Sequence, residues 1–318
     1  MPRILVTGAT GFVGRSLCRR LIERGHRVVA AVRRPDAADS LPTAVEPLPL
    51  GEINASLACP PTTFDDIDVA IHLAARVHVL NERSRDPAAA FQDVNVLGSE
   101  RLARAAAGRV KRFIYVSSVH AMCTLADEPL DETGPCRPET PYGQSKLAAE
   151  QRLRAIADKT GLELVIVRPP PVYGPGHAGN LTRLFRVAAA GWPLPLGDLR
   201  NRRSLVYVEN LADALAHCAE HPAARGHTFL VSDGEDVSLS DLVARVARTS
   251  GRTPRLLPAP TRTLRLVGRA TGRLPAVERL LGSLAVDSTH IRTTLAWRPP
   301  HTLDEGLSAT TAWMKDAA

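Results

Sequence analysis

Tyr142 and Lys146 stand four residues apart in Tyr142-Gly-Gln-Ser-Lys146. Pro141 just before them suits a helix start, and in a helix both side chains share one face. A phenol with an ordinary pKa of ~10 is a poor acid or base at neutral pH until a cation lowers it. Lys146 can supply that cation and can also hold a ribose hydroxyl. Ser117-Ser118 closes an apolar run. Ser118 is placed to bond a substrate oxygen beside the phenol, while Ser117 reads as structural. A chance Tyr–Lys pair is common, so the weight of this trio depends on the elements that carry it.

A second group of residues binds rather than reacts. Gly8-Ala-Thr-Gly11-Phe-Val-Gly14 lies between a short apolar run, residues 3–7, and a helical pattern over 12–24. The first glycine permits a tight turn, the second a close approach to a pyrophosphate, and the third close helix–strand packing. The anion then sits on the helix N-terminus. Three glycines alone say little, but the strand before them and the helix after make the signal specific. About 20 residues on, a carboxylate would bind the ribose 2′-hydroxyl of NAD. Here Val32 is followed by Arg33 and Arg34, which suits the 2′-phosphate of NADP(H). NAD(H) is the alternative, with the arginines simply solvated.

The positioning elements follow from periodicity. Val28 to Val32, Asp68 to Leu73, Arg112 to Ser117 and Glu163 to Arg168 are buried strands. A helix from about Pro87 to Ala107 and another after Pro141 separate them. Strands alternating with long helices predict an α/β, Rossmann-type, doubly wound parallel sheet. After Arg168 the prolines crowd and the strands shorten. Residues 1–168 are therefore expected to form a dinucleotide-binding domain. Residues 169–318 are expected to form mainly a smaller, partly helical substrate lobe, with some segments returning to the sheet. Ser238 to Asp241 and Thr302 to Glu305 look like helix-opening capping boxes.

With the glycine loop and the Tyr–Lys pair stand His72-Leu-Ala-Ala75, Asn95-Val-Leu-Gly98, Tyr115-Val-Ser-Ser118, Val172-Tyr-Gly-Pro175 and Arg203-Ser-Leu-Val-Tyr-Val208. Together these motifs, spread over essentially the whole chain, resemble the extended short-chain dehydrogenase/reductases of the nucleotide-sugar epimerase/dehydratase family. The resemblance implies catalysis by Ser118, Tyr142 and Lys146. It implies cofactor contacts from Thr7, Gly8, Gly11, Phe12, Val13, Gly14, Arg33, Arg34, Glu52, Ile53, Leu73, Ala74, Ala75, Asn95, Tyr142, Lys146 and Pro169. Substrate contacts would come from Ser118, His120, Asn180 and Arg203, whose guanidinium suits a diphosphate. No metal site is implied.

Asn201 to Val208, Thr228 to Glu235 and Leu281 to Leu284 resemble a bacterial subgroup associated with surface polysaccharides. That likeness implies NADPH-dependent reduction of a UDP-linked 4-keto-6-deoxy-N-acetylhexosamine at carbon 4, as in forming UDP-N-acetylquinovosamine. The alternative is an NAD-dependent UDP-sugar 4-epimerase. Family dehydratases carry Thr-Asp-Glu where this chain has Ser118-Val119-His120, so elimination of water is disfavoured. A non-catalytic NADP sensor on the same fold is disfavoured by the intact trio.

Composition bounds the rest. The 318 residues are 44% hydrophobic and 23% charged, with a net charge of +7, an ordinary globular balance. At 4% aromatic, a base-stacking nucleic-acid binder is not expected, and no apolar run suggests a membrane span. Five scattered cysteines without a CxxC pair imply neither zinc nor disulfides, and the expected compartment is the cytoplasm. A UDP-sugar is the expected partner, and a homodimer is compatible with the family. Residues 243–273 contain no Asp or Glu. If that stretch is helical, Arg262, Arg265, Arg269 and Arg273 share one face, with Leu264, Val267 and Leu274 on another. The bland interpretation is a solvated face, and the sharper one is weak peripheral contact with an anionic membrane.

Overall fold

The short β-branched runs assemble into one twisted sheet. The computed structural model describes residues 1–77, 86–197 and 199–316. Its first six strands are β1 (Arg3–Thr7), β2 (Arg27–Val32), β3 (Val45–Pro49), β4 (Val69–His72), β5 (Arg112–Val116) and β6 (Glu163–Arg168). The short pieces β7 (Val172–Tyr173), β8 (Arg203–Ser204) and β9 (Val206–Tyr207) follow, then β10 (Thr228–Leu230) and β11 (Asp236–Val237). The main sheet runs β10-β6-β5-β4-β1-β2-β3, with every pairing parallel. The strand order reverses between β1 and β4, the switch point where ligands of open α/β sheets bind. β3 was not anticipated because Pro47 and Pro49 argue against a strand. Both are tolerated because β3 is an edge.

Side chains alternate across the sheet with the strand period of two. Ile4, Val6, Ala30, Ile71 and Ile114 face one core, which α1 (Phe12–Glu23) closes with Leu17 and Leu21. Leu5, Val29, Ala70, Phe113 and Tyr115 face the other core. That side is covered by α3 (Ser99–Ala106) and α4 (Pro141–Thr160), with α2 (Pro87–Phe91) packed against α4. The helix expected over 87–107 is interrupted by a π segment, Gln92–Gly98. At Gly98 a Cβ would stand 2.9 Å from the backbone nitrogen of Asn54, so this turn presses directly on a neighbouring loop. Such π segments tend to mark functional sites.

The lobe is built from α5 (Asn180–Ala189), α6 (Val208–Glu220), α7 (Leu239–Thr249), α8 (Thr261–Ala270), α9 (Leu274–Leu281), α10 (Thr289–Leu295) and α11 (Leu303–Asp316). Tyr173, Phe185, Tyr207, Leu242, Val246 and Leu307 form its core. Three segments leave it for the Rossmann layer. β10 pairs with β6, α6 contributes Leu211 and Leu215 to the α1-side core, and α10 contributes Ile291 and Leu295. Asp213 of α6 ties these together by accepting from Arg20 at 2.9 Å, Arg24 at 2.7 Å and the Trp297 indole at 2.9 Å. Thr302 and Glu305 close a full capping box, whereas Ser238 caps α7 alone and Asp241 turns its carboxylate to Arg245. The Ser238 hydroxyl accepts from the Asp241 amide at 3.0 Å, and Glu305 accepts from the Thr302 amide at 2.7 Å. The arginine-bearing stretch is not one helix. Arg273 caps α9 instead of lying on α8, so it does not continue the Arg262–Arg265–Arg269 face. Among the described residues no helix is long and apolar enough to cross a membrane.

Candidate active site

A parallel sheet delivers the carboxyl ends of its strands to one edge, and most of the expected residues collect there. β1 turns through Gly8, at φ +70°, where a Cβ would fall 2.8 Å from the Ala74 nitrogen. The Gly11 amide donates to the Gly8 carbonyl at 3.0 Å and Gly11 opens α1. At Gly14 a Cβ would stand 2.1 Å from that same carbonyl, so α1 rests on the turn as the third glycine predicts. No side chain caps α1 and its first turn has no acidic residue. Its amides, Phe12, Val13 and Gly14 among them, and the positive end of its dipole therefore fit a dinucleotide diphosphate.

The neighbouring loop is fixed from below. The Thr7 hydroxyl lies 2.6 Å from His72 Nδ1 and accepts from the Ala74 amide at 3.2 Å. His72 Nε2 lies 2.8 Å from the Ser99 hydroxyl. Burial depresses His72 to about 3, so the ring is neutral and holds Leu73-Ala74-Ala75 in place. Thr7 is thus engaged inside the protein. Asn95, in the π segment, accepts from the Arg76 amide at 2.7 Å and donates to the Ser145 hydroxyl at 2.9 Å. It couples that loop to α4.

At the end of β2, Val32 is buried while Arg33 and Arg34 are exposed. Arg34 pairs with Asp36 at 3.2 Å. Glu52 is exposed, and Ile53 packs half-buried against the α3-side core.

The reacting group sits over β5 and β6. Ser118 opens a short turn, Val119–Ala121, accepting from the His120 amide at 3.2 Å. Its hydroxyl also meets the Tyr142 phenol. The Tyr142 ring has Phe91 edge-on at 6.0 Å and His120 at 6.4 Å. Burial pushes the phenol up to about 12, and the neighbouring Ser118 hydroxyl pulls it back. One turn along α4, the buried Lys146 donates to the Val116 carbonyl at 2.9 Å, 4.8 Å from the centre of the Tyr115 ring. Burial brings its ammonium down to about 7, and the Glu150 carboxylate opposes that fall. Glu150, another turn along, accepts from Ser117 at 2.5 Å and from Arg168 at 3.0 and 2.6 Å. Ser117 is therefore structural, as expected. The Pro169 carbonyl accepts from the Val119 amide at 3.0 Å, joining the end of β6 to the serine turn.

From the lobe, the His177 ring lies 5.1 Å from that of Phe12, tilted at 59°, and its Nδ1 is 2.8 Å from the Thr182 hydroxyl. Asn180 opens α5 and is exposed. Arg203 is occupied: its guanidinium donates to the carbonyls of Arg279 and, at 2.9 Å, Gly282 at the end of α9. Its neighbour Arg202 makes a surface ion pair with Asp236 at 2.9 Å. Phe91, Glu150 and His177 were not anticipated. Glu150 was findable, because Tyr142, Lys146 and Glu150 repeat at helical spacing along one face.

Residues 4–232 match the model of the NAD dependent epimerase/dehydratase family. This chain belongs to that family. A UDP-glucose 4-epimerase of Vibrio cholerae is 40% identical over 321 residues, spanning 98% of this chain and 95% of that protein. The structure of MoeE5 in complex with UDP-glucose and NAD is 28% identical, with a TM-score of 0.76 and 99% of each chain covered. The UDP-glucuronic acid 4-epimerase of Bacillus cereus in complex with NAD reaches a TM-score of 0.80 at 22% identity, covering 99% of this chain and 97% of that one, which is a likeness of fold. The protein is thus an enzyme of the nucleotide-sugar epimerase/dehydratase class. Within that class the 40% identical relative favours the 4-epimerase alternative over the keto-sugar reductase that the subgroup likeness led us to expect, and an NADP preference has no support among these relatives.

Proposed function

We propose that this protein is a UDP-sugar 4-epimerase using NAD. The observation that carries this reading is the Tyr142 phenol beside the Ser118 hydroxyl, with Lys146 on the same helical face and no acidic pair at 119–120. Such a site can pass one proton to and from a single oxygen, but it lacks the second acid that loss of water would need. The 40% identical UDP-glucose 4-epimerase adds weight to epimerisation as the outcome. When bound, NAD supplies a hydride acceptor and donor at its nicotinamide. Tyr142 takes the proton of the sugar 4-hydroxyl as carbon 4 gives up its hydride. It returns that proton once the hydride has come back to the opposite face. Ser118 holds the oxygen between these events, and Lys146 offsets the charge that develops there.

A 4-keto-sugar reductase is retained as a second reading because of one feature: the end of β2 offers Arg33 and Arg34 and no carboxylate. One assay separates the two. Purified enzyme with no added cofactor should interconvert UDP-glucose, or UDP-N-acetylglucosamine, with its 4-epimer. Stoichiometric loss of NADPH absorbance with a UDP-4-keto-6-deoxy-N-acetylhexosamine, and no interconversion, would establish the reductase instead. Replacing Arg33 and Arg34 together by serine should, for the epimerase, leave NAD affinity within a few-fold. A selective collapse of NADPH affinity would restore the reductase reading.

A further inference from the structure

The charge of this protein is concentrated in one place. Residues 251–282 hold seven arginines and a single acidic residue, Glu278. That local +6 is nearly the whole of the chain's +7. Glu278 is itself bound by Arg265, at 2.9 Å. Most of this segment is the hairpin of α8 and α9. The two helices pack on each other at Gly268, where a Cβ would stand 2.9 Å from Val277. Gly268 is the one buried residue of α8, and α9 has none. The hairpin therefore stands out from the body of the lobe.

Its exposed surface is not only basic. Leu266 is 67% and Val267 55% exposed, and Leu257 and Leu280 also lie open. On the α8 wheel Leu266 falls beside the Arg262–Arg269 stripe, away from the Gly268 seam. Trp192, 68% exposed, follows closely on α5. Nearby Leu194 exchanges backbone bonds with Arg255 at 2.9 Å and Leu257 at 2.8 Å. Arginines beside apolar side chains, with a nearby tryptophan, are the chemistry of the headgroup–acyl boundary. A nucleic acid would reward the arginines but not the leucines.

We infer that the α8–α9 hairpin docks this protein on an anionic phospholipid surface. The arginines engage lipid phosphates, and Leu266, beside them on the α8 wheel, enters the boundary layer. The hairpin is also tied to the substrate lobe, because Arg203 holds the end of α9. Docking would thus present the enzyme's product at the membrane. This inference does not depend on the 4-epimerase reading.

The test is co-sedimentation of the full-length protein with vesicles of phosphatidylcholine alone and of phosphatidylcholine with ~30% phosphatidylglycerol. Binding is expected to the anionic vesicles only, and to weaken as salt shortens the Debye length from ~10 Å at 0.1 M to ~3 Å at 1 M. Arg262→Gln with Arg269→Gln should cut partition roughly tenfold or more. Leu266→Ser should cut it several-fold while Arg262 and Arg269 remain. Both variants should keep wild-type activity on soluble substrate, showing that they fold. No sedimentation with anionic vesicles at low salt would overturn the inference. So would undiminished binding by the Leu266→Ser variant together with equal affinity for duplex DNA, which would mark a general polyanion site.

Discussion

Tyr142→Phe is expected to lower kcat by roughly 100-fold or more, the usual contribution of a positioned acid–base group. The substitution removes one oxygen and leaves the ring between Phe91 and His120. The glycine loop, Asn95 and Lys146 are untouched, so dinucleotide affinity should stay within a few-fold. The split tests the assignment. An equal loss in dinucleotide binding would mean that Tyr142 is chiefly a binding residue. A loss below tenfold in kcat would mean that another group moves the proton. His120 is the alternative, 6.4 Å away ring to ring. His120→Gln should therefore be measured beside it, with a smaller effect expected, because its backbone amide rather than its ring caps the Ser118 turn.

The parts of this site that were legible in the sequence are those whose meaning is local. The glycine loop occupies seven residues, and each glycine answers to a contact within the turn or to the Ala74 backbone. Tyr142 and Lys146 are one helical turn apart. Ser118 is at a strand end, where the sheet topology alone predicts a ligand. The parts that were not legible depend on distant chain. Arg203 has the right chemistry for a diphosphate, but its partners are carbonyls some 76 to 79 residues away, at the end of a helix that no local pattern links to it. Thr7 is directed inward by His72, 65 residues on. The expected helix over 87–107 has the right extent, yet its π segment ends at Gly98 against the backbone of Ile53–Asn54, a contact with distant chain. β3 was hidden because proline reads as a breaker unless the strand is known to lie at an edge.

Glu150→Leu is expected to be among the most damaging single changes in stability. Glu150 is 1% exposed and Arg168 5% at the side chain, so the carboxylate is almost wholly removed from water. Deleting one partner strands the other charge in the interior, a cost of about 3–5 kcal/mol. It also leaves the Ser117 hydroxyl without its acceptor. Urea unfolding should show the loss as a lowered midpoint with little change in slope. Replacing both partners, Glu150→Leu with Arg168→Leu, should recover a large part of it, because a buried pair exchanged for apolar side chains is often close to neutral. Activity should not recover with stability. Glu150 is a positioning residue that supports the charged form of Lys146 against burial. Without it the ammonium gives up its proton more readily, and the cation beside the phenol is lost at lower pH. The high-pH limb of kcat/KM should therefore move to lower pH in both the single and the double variant. A double variant that regained stability and kept the wild-type pH profile would reduce Glu150 to a structural partner of Arg168 and leave Lys146 charged by some other means.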